Sequence, residues 1–532
     1  MVNPRCVLLC LVLAALCFLD SPAYSQVANL IGLNLLQAST TNLNGSGIPV
    51  AQVEADTSVH PDPSYFEVNP TNAVQAPGVF TYISASGGAA GFTNAVGLES
   101  GHADTVACCF YGINSGIATN VAHVFNYDAT YYIYQVVGGG QPANGERIVN
   151  QSFTLGTEGS QAQFDSMYDN FEENHNTLFV SAVGAGPNNV QPCAPGTAYN
   201  CISVGAYQNG SFDSNIGPTA DNGRCKPDIT AIAGATSFST PQVSGAAAIL
   251  MQAALRGDGG SDTNSAFNNR TIKALLLNGA VKPSGWTNSS LSPLDARYGS
   301  GVVNIYNSYR LLAAGKQSSI ASSLVPSGNP HPPIGSVANE PDWSGWDFNT
   351  NSSSTNTDSI CHYYFNLTNS LPREQFTLTT TLVWNRHIHQ SVVNNLALYL
   401  YNCANSNVVA CSTSLVDNVQ HIYLPVLNPG RYDLQVWKAG GTNIVSTAEP
   451  YALSWQIFAH HVTMHPASGG ALISWPMYPA GFNVLSMHDS EDQTPLWTNI
   501  DMSSLTYTNG TNTVFVPCPY GAEFFRLASP NL

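Results

Sequence analysis

The sequence predicts an α/β domain, a three-layer parallel sheet with helices on both faces, followed by two all-β sandwich modules. Three observations carry this reading. Apolar strand-like runs alternate with helical runs through residues 26–316, the pattern of a parallel sheet covered by helices. A Ser-, Pro- and Gly-rich stretch over 317–341 reads as a linker. From Trp343 onward the pattern changes to short alternating strands separated by turn residues. At 532 residues the chain is also too long for one core to keep growing.

In chain order, Arg5, the apolar run Cys6 to Leu19 and the small-x-small site Ala23-Tyr24-Ser25 form a secretory signal over 1–25. The mature protein is expected to start near Gln26 and to be secreted, extracellular or periplasmic. No later run approaches the roughly 20 apolar residues of a membrane span. Within 26–316, strands are expected at Ile48 to Val53, Val121 to Asn126, Tyr132 to Val137, Arg147 to Phe153, Thr177 to Val183 and Ile202 to Tyr207. Helices are expected at His102 to Tyr111, Gln161 to Asn174, Ser237 to Gln252 and Thr271 to Asn278. A first β-sandwich, 342–460, takes strands near Phe376 to Trp384, Asn395 to Tyr401, Val419 to Leu424, Gly430 to Val436 and Tyr451 to Phe458. A small β-module fills 461–532.

Charged residues make up only 9% and the formal net charge is -17, which disfavours nucleic acid and anionic membranes as partners. Nine of the twelve cysteines follow the signal, and Cys193 with Cys201 and Cys403 with Cys411 are the local pairs expected to bridge. Adjacent Cys108 and Cys109 read as buried thiols. No CxxC or zinc-type spacing occurs, and neither His387-Ile-His389 nor His460-His461 has a third ligand spaced for zinc. No cofactor is implied; a structural calcium and the oligomeric state are left open. His123 reads as a core histidine, and Asp165, Asp169, Glu172 and Glu173 as the solvated face of a helix. Trp384, Trp437, Trp455 and Trp475 read as sandwich core.

The chemistry centres on Gly234 to Gln252. Small residues lead into Ser237, and Pro241, suited to a first helical turn, precedes an Ala-rich run that reads as a buried helix. A serine at a helix start sits beside free amides and the positive end of the helix dipole, a setting that favours developing negative charge. Alone it would be an N-cap. Two further blocks raise it to a nucleophile: Gly101-His102-Ala-Asp-Thr105 places a histidine at another helix start, and Val50-Ala-Gln-Val-Glu54-Ala-Asp56 ends a strand with acids. Acid, histidine and serine at element ends near one sheet edge form a nucleophile, base and orienter set.

These blocks resemble those of the subtilisin-like (subtilase) serine peptidases, secreted bacterial type, with their Asp-Thr-Gly, His-Gly-Thr-x-Val-Ala and Gly-Thr-Ser-Met-Ala-Thr-Pro motifs. Lys226-Pro-Asp-Ile, Asn150-Gln-Ser152-Phe and Tyr298-Gly-Ser-Gly-Val-Val-Asn304 resemble flanking blocks, so the likeness runs over about 45–315. The region from Trp343 to Phe458 resembles the jelly-roll-like modules that follow such domains. The resemblance implies peptide-bond hydrolysis through an acyl-enzyme on Ser237, with His102 as general base and Glu54 orienting it. It implies a protein or peptide substrate held between walls at Ser152, Phe153 and Thr154 and at Ala182, Val183 and Gly184.

Four departures are informative. Glu54 stands where the family has Asp, and Asp56 falls two residues beyond. Ala103 and Ala235 replace glycines. Ala185 stands at the asparagine that donates to the oxyanion, which implies a weakened oxyanion hole. Asn188 or Asn189 could supply an amide instead. Only about 20 residues lie between the cleavage site and the first strand, so no pro-domain of the family's usual size is expected. An alternative function is a catalytically silent scaffold that binds through its β-modules.

Overall fold

The computed structural model describes the chain outside residues 1–20, 57–62, 95, 156–160, 186–189, 209–210, 213, 369–374, 443, 477–481, 489–496, 509–510, 518–522 and 529–532. The predicted cleavage point falls inside a helix, Ser21–Leu30, while the signal's apolar run lies outside the described residues.

Seven strands form the parallel sheet: β1 (Pro49–Glu54), β2 (Phe80–Ile83), β3 (His123–Asp128), β4 (Ile148–Gln151), β5 (Leu178–Ala182), β6 (Ile202–Gln208) and β7 (Ile229–Ile232). Their order is β7-β6-β5-β4-β1-β3-β2, every pairing in that row parallel. β1, β4 and β5 are buried almost throughout, as central strands covered on both faces must be. Four helices matter for the site: α1 (Gly101–Phe110), α2 (Gln161–His175), α3 (Thr236–Arg256) and α4 (Asn269–Gly279). α3 is the buried central helix expected from its small residues. Ala246, Ala247 and Ala248 have no exposed surface, and a Cβ added at Gly245 would lie 2.5 Å from Ile117 Cβ.

Two local expectations are corrected. Tyr132–Val137 forms a π-helix, not a strand, because Asp128 Oδ1 accepts the amides of Thr130 and Tyr131 at 2.8 and 3.3 Å and starts a helical turn. The acids of α2 are not a solvated face: Asp165, Asp169 and Glu172 are fully buried. Asp165 meets Arg224 Nη2 at 2.9 Å, Asp169 meets Arg386 Nε at 2.7 Å, and Glu172 Oε1 accepts the Phe179 amide at 2.8 Å. Arg224 and Arg386 lie far along the chain and Phe179 lies outside the helix, so helical periodicity could not reveal these partners.

The first sandwich comprises β8 (Ala321–Pro326), β9 (Ser344–Ser352), β10 (Thr357–Leu367), β11 (Phe376–Trp384), β12 (Leu396–Asn402), β13 (Asn407–Ser412), β14 (Val419–Leu427), β15 (Gly430–Lys438) and β16 (Ala448–Ala459). One sheet runs β8-β10-β15-β12-β13 and the other β9-β16-β11-β14. β8 comes from the stretch read as a linker; its polar residues suit an exposed edge strand. Trp384 and Trp455 are fully buried in the sandwich core, whereas Trp437 lies half-buried on the outer face of its sheet and Trp475 belongs to the small core of the last module.

The expected disulfides do not form; all four cysteines are free. Cys201 points into the core beneath the sheet, while Cys193 Sγ accepts from Asn215 Nδ2 at 3.4 Å. Cys411 pairs across the sheet with Tyr399, four residues from Cys403 along the strand, a separation of roughly 13 Å.

The sandwich docks on the α/β domain through buried polar contacts. Every residue of α4 is buried, and Thr379 and Thr381 of β11 donate to Asn278 Oδ1 at 3.0 and 3.1 Å. Arg386 N donates to Asn200 Oδ1 at 2.7 Å, Cys225 N to Asp417 Oδ1 at 2.7 Å, and Trp346 Nε1 to the Leu312 carbonyl at 3.0 Å. Removing one partner of a buried ion pair strands the other charge, at about 3–5 kcal/mol. Arg386→Ala is therefore expected to lower the stability of the mature protein by about 3 kcal/mol or more, measured by denaturant unfolding, with both domains unfolding in one transition. A chain ended at residue 316 is expected to be insoluble or protease-sensitive, because α4 loses its cover.

Candidate active site

β1 and α1 bring the first pair of groups together. β1 ends at Glu54, in register with Asp128 of β3, and its carboxyl edge faces the start of α1. Ser100 caps α1, its Oγ accepting the Ala103 amide at 3.3 Å, and this fixes His102 in the first turn. His102 Nδ1 lies 2.8 Å from Glu54 Oε2; Glu54 is 2% exposed, while the His102 side chain keeps 38% exposure. Burial pulls the imidazole pKa down, but the Glu54 charge and hydrogen bond together outweigh it, leaving the pKa above its usual value. Asp56 is engaged elsewhere, accepting the Tyr65 amide at 3.1 Å.

The extra methylene of Glu54 is accommodated by a residue that no motif singles out. Gln52, two positions earlier on the same face of β1 and fully buried, donates from Nε2 to Glu54 Oε1 at 2.7 Å and to the Ala103 carbonyl at 2.9 Å. Tyr111, at the end of α1, donates its hydroxyl to Gln52 Oε1 at 2.5 Å. The amide thus holds the carboxylate oxygen that the histidine does not use. A Gln-x-Glu spacing on one strand face is the only trace this leaves in sequence.

Ser237 is the second residue of α3, one place further into the helix than expected. Pro241 consequently sits in the second turn and lacks the amide that would bond to the Ser237 carbonyl. Ser152 Oγ supplies that bond at 2.8 Å. In return, Ser237 Oγ donates to the Ser152 carbonyl at 3.3 Å. The amides of Phe238 and Ser239 turn back on the Ala235 carbonyl, so the Ser237 amide is among the first donors of the helix. The His102 and Phe238 rings lie 6.1 Å apart, which brings the helix start beside the imidazole.

The six residues expected as substrate walls lie at or just beyond the ends of adjacent strands β4 and β5. Ser152 is buried, Phe153 half-buried and Thr154 exposed; Ala182, Val183 and Gly184 are buried. A Cβ on Gly184, whose φ is +106°, would lie 3.5 Å from Thr154 Cγ2 and 2.4 Å from Asn215 Nδ2, so the walls approach each other where only glycine fits. Ala185 is exposed and its methyl group offers no donor. Asn188 and Asn189 lie outside the described residues.

Residues 89–301 match the family model of the subtilases. The chain carries a subtilase domain. Among solved structures, the chain is similar to proteases from Pseudoalteromonas arctica PAMC 21717, at 18% identity over 51% of this chain and 91% of that one, TM-score 0.35. It is similar to a cold-adapted subtilisin-like serine proteinase at 19% identity over 46% and 85%, TM-score 0.32. It is also similar to fervidolysin from Fervidobacterium pennivorans, a keratinolytic enzyme related to subtilisin, at 13% identity over 78% and 77%, TM-score 0.32. No curated protein matches the sequence. Glu54 lies upstream of the matched segment and joins the subtilase domain through the parallel pairing of β1 with β3 and β4.

The raised His102 pKa sets a pH dependence. For His102 acting as a base, which must be neutral, activity is expected to fall on the acid side with a midpoint above the ordinary imidazole value. Glu54→Gln removes the raising charge and leaves burial, so the midpoint should move down while turnover falls by about 10³- to 10⁴-fold. Gln52→Leu, which frees Glu54 Oε1, should lower turnover by about 10-fold, leave KM unchanged and shift the same midpoint. Steady-state pH profiles on a chromogenic peptide check all three; an unshifted midpoint in Gln52→Leu would confine that residue to packing.

Proposed function

We propose that the protein is a secreted serine endopeptidase in which Ser237, His102 and Glu54 form the catalytic set. The observation that carries this reading is the buried Glu54 carboxylate held 2.8 Å from His102 Nδ1. An ionised carboxylate only accepts, so Nδ1 bears the proton and Nε2 presents its lone pair. Ser237 Oγ, after turning from the Ser152 carbonyl, attacks the scissile carbonyl carbon while His102 Nε2 takes its proton. His102 then gives that proton to the departing amine as the tetrahedral adduct collapses to an acyl-serine. Water attacks the acyl group with His102 again as base, releasing the acid and restoring Ser237.

Negative charge develops on the carbonyl oxygen, where the Ser237 amide and the α3 dipole stabilise it. The side-chain donor of the family is missing at Ala185, so turnover is expected to be low. A carboxylate buried on the histidine, with its second oxygen held by Gln52, supports catalysis over the silent-scaffold alternative.

Fluorophosphonate labelling of the purified mature protein tests the reading: labelling is expected, and Ser237→Ala should abolish it at that position. An unlabelled Ser237 contradicts the proposal. Ala185→Asn should raise peptide turnover by about 10-fold or more by restoring a donor. An unchanged rate would mean that another group fills the position.

A further inference from the structure

The first sandwich holds a second serine, histidine and aspartate in hydrogen-bonded sequence. Cys361, Tyr363 and Phe365 of β10 face the sandwich core, so His362 between them faces outward. Its Nδ1 lies 2.8 Å from Asp433 Oδ2 on β15, and its Nε2 lies 3.0 Å from Ser323 Oγ on β8. Asp433 has no exposed surface, and its Oδ2 also accepts the Ile334 amide and Gln435 Nε2, each at 2.8 Å. With the carboxylate as acceptor, Nδ1 carries the proton and Nε2 accepts from the Ser323 hydroxyl. This is the tautomer a nucleophilic serine requires.

The two ends of this relay differ in access. The segment through Pro332 and Ile334 covers Asp433, with the Pro332 carbonyl accepting Gln435 Nε2 at 3.1 Å. Ser323 is partly exposed on edge strand β8, and Leu324 beside it is 68% exposed. The β8–β10 register places Ser323 opposite Ile360, in the hydrogen-bonded phase that ends with Ser327 N to the Asn356 carbonyl at 3.0 Å. By the alternation of an antiparallel ladder, the amides of Ser322 and Leu324 point to the open edge. A donor therefore lies next to the serine on its solvent side.

We propose that Ser323, His362 and Asp433 form a second hydrolytic site, acting on esters with good leaving groups. Ser323 Oγ attacks the ester carbonyl carbon and passes its proton to His362 Nε2. The proton goes on to the leaving phenoxide as the ester C–O bond breaks, and water then hydrolyses the acyl-Ser323, again through His362. An oxyanion facing edge amides alone receives less stabilisation than in a closed hole, so the site reaches aryl esters and not amides. This site does not depend on the reading of Ser237.

The test uses the mature Ser237→Ala protein, treated with a fluorophosphonate and with p-nitrophenyl acetate. Peptide mapping is expected to place the label on Ser323. The double variant Ser237→Ala, Ser323→Ala should lose that label and lower ester turnover by about 10-fold or more. Absence of label on Ser323 in folded Ser237→Ala protein, or ester turnover unchanged by the added Ser323→Ala, would overturn the proposal.

Discussion

The contact between the buried Glu54 carboxylate and His102 Nδ1 is the constraint around which the α/β domain is arranged. A carboxylate taken out of water is stable only if its oxygens are satisfied. Here one oxygen meets the imidazole and the other meets the Gln52 amide, itself fixed by Tyr111 and by the backbone of α1. Strand β1, helix α1 and the histidine are thereby tied together. The same bonds set the imidazole tautomer that a proton-accepting base needs.

A reciprocal arrangement holds the serine. Proline inside α3 opens the helical ladder at the Ser237 carbonyl, and the Ser152 hydroxyl closes it. Ser152, at the end of β4, is thus bonded to the backbone of Ser237, so the spacing between that strand end and the serine is set by a hydrogen bond and not by packing alone. Beyond the cleft, buried charges on α2 and the fully covered α4 make the sandwich part of the domain's solvation. In this chain the β-sandwich supplies hydrogen-bond partners to interior groups of the α/β domain.

What the sequence made legible follows from range. The long parallel strands and the four helices were readable because their apolar pattern is local, and Glu54, His102 and Ser237 could be singled out as candidates because ordered motifs carry them. The burial of Asp165, Asp169 and Glu172 was not, since their partners Arg224, Arg386 and the Phe179 amide lie elsewhere in the fold. Tyr132–Val137 looks like a strand by composition, yet the preceding Asp128 starts a helix. The cysteine pairs were close in sequence but set apart in the fold, Cys411 pairing with Tyr399 and not lying beside Cys403. The role of Gln52 needed the position of a glutamate side chain, which no pattern reports.

The proposed function requires that Ser237 becomes acylated by a peptide-like substrate. Rapid acid quenching of the mature protein with a peptide ester, followed by mass spectrometry of its digest, reads this directly. An acyl adduct on the peptide containing Ser237 is expected, forming before product release and disappearing with turnover. Hydrolysis at wild-type rate with no adduct on Ser237, or no hydrolysis at all, would contradict it.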